Sequence, residues 1–195
     1  LILKAAAHEF SRVPYSAASI NQIIKEADIS RGSFYTYFED KDDLLRYMLR
    51  GVREQFRERA MALLDEMGSP FAVCIQMLRE WMEKGTDQII YKIHQNLLAD
   101  ISVANQNQIF GLRGFMMKEE PYRAFIKEMY DRMDRERYPM SFETLMCGMD
   151  VAAMVCVKSM SLYCRKPQEM NSILAATEME MRILEKGVCG MQAAK

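Results

Sequence analysis

The sequence has no close-spaced cysteine pair, only two histidines, little glycine or proline, and no excess of either charge. Each shortage excludes something. The five cysteines, Cys74, Cys147, Cys156, Cys164 and Cys189, form no C-x-x-C pair, and the histidines are His8 and His94. Zinc ligation needs close-spaced thiolates or imidazoles, so no metal site is expected. An odd cysteine count on apolar helix faces reads as reduced thiols of a cytoplasmic protein. Cys156 and Cys164, eight apart on one helix face, leave a redox role as the alternative. No uninterrupted apolar run approaches the roughly 20 residues of a membrane span, and no membrane partner is expected. No signal peptide is visible, and the chain opens at Leu1 within a helical pattern. No Gly-rich phosphate loop, nucleophile elbow or metal-spaced His/Glu pair occurs, so no catalytic residue, cofactor or enzymatic activity is expected.

Charge gives no broad guidance either. The formal net charge is −1 over 195 residues. In residues 1–50 the bases Lys4, Arg12, Lys25, Arg31, Lys41, Arg46 and Arg50 are matched by Glu9, Glu26, Asp28, Glu39, Asp40, Asp42 and Asp43. A basic field for nucleic acid is therefore missing, and any such partner must be recognised by individually placed donors.

What is present is helical periodicity, almost throughout. Ile2, Ala5, Ala6 and Phe10 form one apolar stripe, and Pro14 fixes the loop that follows. Ser19 is placed to cap a short helix of Ile20 to Ala27. Asp28-Ile29-Ser30 makes a tight turn before a second short helix, Arg31 to Tyr37. Asp40 can cap a long helix from Lys41 to Met67, ended by Gly68-Ser69-Pro70 and shared between two cores. Further helices are expected over Phe71–Lys84, Thr86–Val103, Gln108–Lys118 and Pro121–Tyr138. Ser141 starts one reaching Tyr163, and Pro167 opens a last one ending before Gly187. The fold class is thus all-α, with a helix-turn-helix domain at 1–50 and a helical effector-binding and dimerisation domain at 51–195.

Two short helices joined by a three-residue turn are the layout of a DNA-reading helix-turn-helix. The second must enter a major groove about 12 Å wide, so one side carries small or polar groups while the other anchors in a core. Phe34 and Phe38 are the expected anchor; Arg31, Ser33, Tyr35, Thr36 and Tyr37 remain as donors, and Gly32 permits close backbone approach to phosphate. Read singly, the tyrosines could be packing aromatics, and Lys41 among Asp40, Asp42 and Asp43 a solvated charge cluster.

Together these residues resemble the TetR family signature. It covers about the first 45 residues, from Leu3-Lys4-Ala5-Ala6 and Phe10, through Ser19-Ile20-Asn21-Gln22-Ile23-Ile24 and Ala27 to Phe38, to Lys41-Asp42-Asp43-Leu44-Leu45. The resemblance implies that Ser19 touches phosphate, that Arg31 and Gly32 begin the recognition helix, and that Ser33, Tyr35 and Thr36 face the groove. It also implies phosphate contacts for Tyr37 and Lys41. Asp28 stands where glycine is frequent, and Arg12 and Val13 precede Tyr15 where glycine is also frequent.

The remainder matches only in helix number. The resemblance places the last two helices in a four-helix homodimer interface, with Leu145, Met149, Ala152, Cys156 and Ser159 on one and Ile173, Thr177, Met181 and Leu184 on the other; packing within one chain is the alternative. Between residues 70 and 139 an effector pocket is expected, with Trp81, Tyr91, His94, Phe115, Met116 and Tyr130 as its lining. The 18 methionines suit an adaptable pocket, although methionine at helical spacing is more often core. The resulting expectation is a cytoplasmic, ligand-responsive repressor that binds a palindromic double-stranded DNA operator as a dimer. The rival is a helical interaction module whose helix-turn-helix no longer binds DNA.

Overall fold

A computed structural model describes residues 1–84, 89–99 and 120–193. Regular structure among them is entirely helical: α1 (Ile2–Arg12), a 3₁₀ turn (Tyr15–Ala17), α2 (Ile20–Ala27), α3 (Arg31–Tyr37), α4 (Lys41–Met48), α5 (Arg50–Met67), α6 (Pro70–Glu83), α7 (Ile89–Ala99), α8 (Glu120–Arg132), α9 (Phe142–Arg165), a second 3₁₀ turn (Pro167–Glu169) and α10 (Met170–Ala193).

Local chemistry sets most of these ends. Ser30, Asp40, Ser69 and Ser141 each accept an N–H of the first helical turn that has no intrahelical partner. Pro70 occupies the first turn of α6, where its missing N–H costs nothing. Asp28 ends α2 in the left-handed conformation, φ 52° and ψ 50°, which an Asp tolerates better than most residues.

Three boundaries differ from the sequence reading. The long helix expected from Lys41 is interrupted at Leu49, so α4 and α5 are distinct. There the Arg53 guanidinium donates to the Arg46 carbonyl at 2.8 Å, entering the helical ladder, and Gly51 follows with weak helix preference. The helix begun near Pro121 stops at Arg132, six residues before Tyr138. The last helix continues through Gly187 and Gly190 to Ala193. The helix expected at Gln108–Lys118 lies outside the described residues.

The described chain forms two compact units, and α5 passes from one to the other between Phe56 and Arg57. The first contains α1 to α4, the start of α5, and α7. Its core is Ala5, Ala6, Phe10, Tyr15, Ile23, Phe34, Leu44 and Leu45, completed by Ile93 and Leu97 of α7. The second contains the rest of α5 with α6, α8, α9 and α10, built on Leu64, Phe71, Ile126, Met129, Leu145, Met149, Ala152 and Met181. By length and composition α9 could cross a membrane, with a mean hydropathy of 1.5, but here it packs in this core against α6, α8 and α10.

Candidate nucleic-acid interface

The first unit holds α3 by its aromatic back. Phe34 is fully buried and Phe38 nearly so, their ring centroids 5.9 Å apart, and Tyr47 of α4 meets Phe38 edge-on at 5.6 Å. With that side fixed, the opposite side faces outward. Arg31, Gly32, Thr36 and Tyr37 are exposed, Tyr37 keeping 71% and Tyr35 45% of their surface. Tyr35 also meets the buried Phe34 ring edge-on, centroids 5.3 Å apart, whereas Tyr37 stands largely in solvent.

Not every polar group on α3 is equally available. The Ser30 hydroxyl accepts from the Ser33 N–H at 3.0 Å and lies 2.8 Å from the Ser33 hydroxyl. The Thr36 hydroxyl donates to the Gly32 carbonyl at 2.9 Å. The Arg31 guanidinium sits 5.7 Å from the Tyr35 ring centroid, which orients it along the exposed face. A Cβ on Gly32 would meet only the Ser30 hydroxyl, at 3.8 Å. Internal packing therefore does not demand glycine there, whereas an approaching backbone or phosphate would.

Ser19 and Lys41 do more inside the unit than the sequence suggested. Ser19 stands at the N-cap of α2, but its hydroxyl makes no capping bond. Instead its N–H donates to Glu9 at 3.0 Å, and this buried carboxylate also pairs with Arg12 at 2.6 Å. The Lys41 ammonium donates to the carbonyls of Tyr15 at 2.8 Å and Ala18 at 3.1 Å, and reaches that of Ser16 at 3.4 Å. It also lies 4.6 Å from the Tyr15 ring centroid. The Tyr15 hydroxyl donates to Asp42. Burial, then the hydrogen bond and charge of Asp42, raise the tyrosine pKa well above its usual value, so it remains a donor. Lys41, Tyr15 and Asp42 thus clamp the 3₁₀ turn to the start of α4, beside α3.

The expected dimer-interface residues turn inward. Leu145, Met149, Ala152, Ser159, Ile173, Thr177 and Met181 are buried in the single chain, and Cys156 and Leu184 are half-buried against the same core. Ser159 and Thr177 place their hydroxyls 2.7 Å apart across α9 and α10. Gly148 also serves close packing within the chain: a Cβ there would come within 3.0 Å of Phe71 and 3.1 Å of Val188. The outward apolar residues of these helices are instead Cys147, Val151 and Leu162 on α9, and Met179, Ile183 and Met191 on α10. Periodicity reveals an apolar face but not which of two adjoining faces the chain itself covers.

The expected pocket residues do not all belong to one unit. Trp81 is half-buried on α6, 5.9 Å from the Tyr163 ring, and Tyr130 on α8 is 5.7 Å from that of Phe142. Tyr91 and His94 belong to α7, which packs in the first unit. Phe115 and Met116 lie outside the described residues.

A buried polar group in the second unit was missed. Asp150 on α9 keeps 7% of its surface among apolar neighbours. Burial pushes its carboxyl up to about 6. The Tyr122 hydroxyl of α8 lies against it, and its hydrogen bond to the carboxylate partly offsets that burial. Cys74 of α6 adjoins Tyr122 and pairs with the Cys156 thiol, whose pKa that pairing and burial raise. Cys156 therefore lacks thiolate character. The sequence signal was there: Asp150 is the one charged residue between Leu145 and Val157.

Residues 2–48 match the family model described as bacterial regulatory proteins, tetR family. The HTH-type transcriptional regulator YdgC of Bacillus subtilis is 34% identical over 67 residues, covering 34% of this chain and 34% of YdgC. The HTH-type transcriptional regulator HbdR of Aromatoleum is 35% identical over 69 residues, covering 35% of this chain and 30% of HbdR. The matched stretch spans about a third of the length of these curated relatives. Over nearly the whole chain the fold is that of solved regulators. The fatty acid degradation regulator FadR from Bacillus halodurans has a TM-score of 0.61 at 16% identity, covering 95% of this chain and 97% of its own. FadR from Bacillus subtilis, solved in complex with stearoyl-CoA, has a TM-score of 0.57 at 16% identity, covering 96% and 97%.

Proposed function

We propose that this TetR-family transcriptional regulator binds a palindromic operator as a two-fold dimer, represses transcription there, and is released by a small-molecule effector sensed in its second unit. One observation carries the DNA reading: α3 is anchored by Phe34 and Phe38 while Arg31, Tyr35, Thr36 and Tyr37 face outward. A guanidinium and two phenols on one short helix can donate to base edges and phosphates without any net positive field. Ser33 and Ser19 serve as secondary contacts, and Lys41 acts by holding the turn that flanks α3.

Dimerisation follows from the operator's symmetry, because two α3 helices must be presented about one or more helical turns apart, roughly 34–36 Å each. The exposed stripe of Val151, Leu162, Met179 and Ile183 supports α9 and α10 as the partner-facing surface, since an isologous interface needs one self-complementary apolar patch. A cytoplasmic setting is consistent with free thiols throughout. The effector's influence reaches the first unit through covalent continuity: α5 belongs to both units, and α6 in the second leads in sequence to α7 in the first. A coupling of about 1–3 kcal/mol would lower operator affinity between several-fold and a hundredfold.

Selection of bound duplexes from a random library, at a fixed salt of about 100 mM, tests the reading. Enrichment of an inverted repeat supports it. No enrichment would leave a helical interaction module with a TetR-like head.

A further inference from the structure

The fold brings two distant cysteines into contact. Cys74 on α6 and Cys156 on α9 pack half-buried against one core, and the Cys156 S–H donates to the Cys74 sulfur. The spacing along α9 had pointed to Cys164 as a partner for Cys156. Eight residues of helix rise about 12 Å, beyond the reach of a disulfide, so the partner comes from another helix.

A single cysteine in a core acts as a small apolar residue, and its packing alone does not call for sulfur. Two thiols in contact have a further chemistry. When one sulfur is oxidised the other attacks it, and the second step is intramolecular. Both residues keep part of their surface, so a small oxidant reaches the pair without a preformed cavity. The two sulfurs are not equivalent. The hydrogen bond to Cys74, then burial, hold the proton on Cys156, which leaves the attacking role to Cys74.

We propose that Cys74 and Cys156 form a peroxide-reactive thiol pair that closes to a reversible disulfide between α6 and α9. In the first step the Cys74 sulfur attacks one oxygen of hydrogen peroxide and the O–O bond breaks. The thiol proton leaves with the departing oxygen as water, and Cys74 becomes a sulfenic acid. In the second step the Cys156 sulfur attacks that of Cys74 and the S–O bond breaks. The departing hydroxyl takes up the Cys156 proton as a second water. Two thiols lose two electrons in all, and one peroxide is reduced to two waters. A dithiol reductant reverses the bridge. The chemistry needs neither operator nor effector, so it stands apart from the regulator reading.

Peptide mapping of the full chain tests the pair. The reduced protein, freed of reductant, is treated while folded with a small excess of hydrogen peroxide, then denatured in N-ethylmaleimide and digested. A linked peptide joining Cys74 to Cys156 should appear within single chains, with both cysteines escaping maleimide until dithiothreitol is added. Cys156→Ser should abolish the link and leave Cys74 as a sulfenic acid that dimedone traps. Cys74→Ser should leave Cys156 unlabelled by dimedone, an asymmetry that close packing alone does not produce. Cys74 and Cys156 both open to maleimide after the peroxide is consumed, with oxidation confined to the exposed Cys147, would overturn the proposal. So would dimedone on Cys156 and none on Cys74. The map of the unsubstituted chain decides the link whether or not the serine variants fold.

Discussion

The side-chain amide of Asn96 donates to the main-chain carbonyl of Phe10 at 2.9 Å, joining α7 to α1 across 86 positions of sequence. Ile93 and Leu97, on the same helix, are buried in the core that also holds Phe34 of α3. The first unit is therefore not complete in its first 50 residues.

Removing that support should weaken the head directly. Leu97→Ala should cost about 2–5 kcal/mol and Asn96→Ala about 1 kcal/mol in urea unfolding, the first by a cavity, the second by an orphaned carbonyl. Values within about 0.5 kcal/mol of wild type for both would mean α7 is not docked in solution.

Lys41 offers a sharper distinction. Its ammonium is directed at the carbonyls of Tyr15, Ser16 and Ala18, so Lys41→Met should lower stability and operator affinity together. The slope of log affinity against log salt should stay unchanged, because no phosphate contact is lost. A slope smaller by about one would instead identify Lys41 as a phosphate ligand.

The dimer surface is predicted to be the outward stripe of α9 and α10. Ile183, 65% exposed in the single chain, should be intolerant of charge. Ile183→Asp should yield monomers by light scattering and speed maleimide labelling of the exposed Cys147, with helicity unchanged. A variant that stays dimeric and equally protected would move the interface elsewhere.

Asp150 ties stability to pH with a definite sign. Its folded pKa, near 6, lies above the value of an unfolded chain, so the folded state holds the proton longer. Its stabilising contribution is full below about pH 4 and is lost as pH rises through about 6. At neutral pH the buried charge is then a net cost to the fold. Asp150→Asn should raise Tm by several degrees at about pH 7.5 and by little at about pH 4.5. An equal effect at both values would show that Asp150 is solvated.

Much of the head was legible because its signals are local. Asp40 caps the helix that follows it, Asp28 takes the left-handed turn, and Phe34 and Phe38 lie four apart on one buried side. Relations between distant segments were not. The apolar face of α7 shows that it is covered, but nothing in its pattern names α1 as the cover. The stripe through Leu145, Met149 and Ala152 fits a partner subunit as well as the chain's own α6 and α10; only the three-dimensional fold shows that it is occupied internally. Lys41 among three aspartates reads as a surface charge until the carbonyls of the preceding turn are placed around it.

The most direct test of the account is operator affinity after removal of the two outward side chains at the ends of α3. By fluorescence anisotropy on a selected duplex, Arg31→Ala with Tyr37→Ala should weaken binding by at least about tenfold, each lost contact being worth roughly 1–3 kcal/mol. Thermal stability should be unchanged, since neither residue is in the core. Unchanged operator affinity in a folded double variant would contradict the assignment of α3 as the DNA-reading helix.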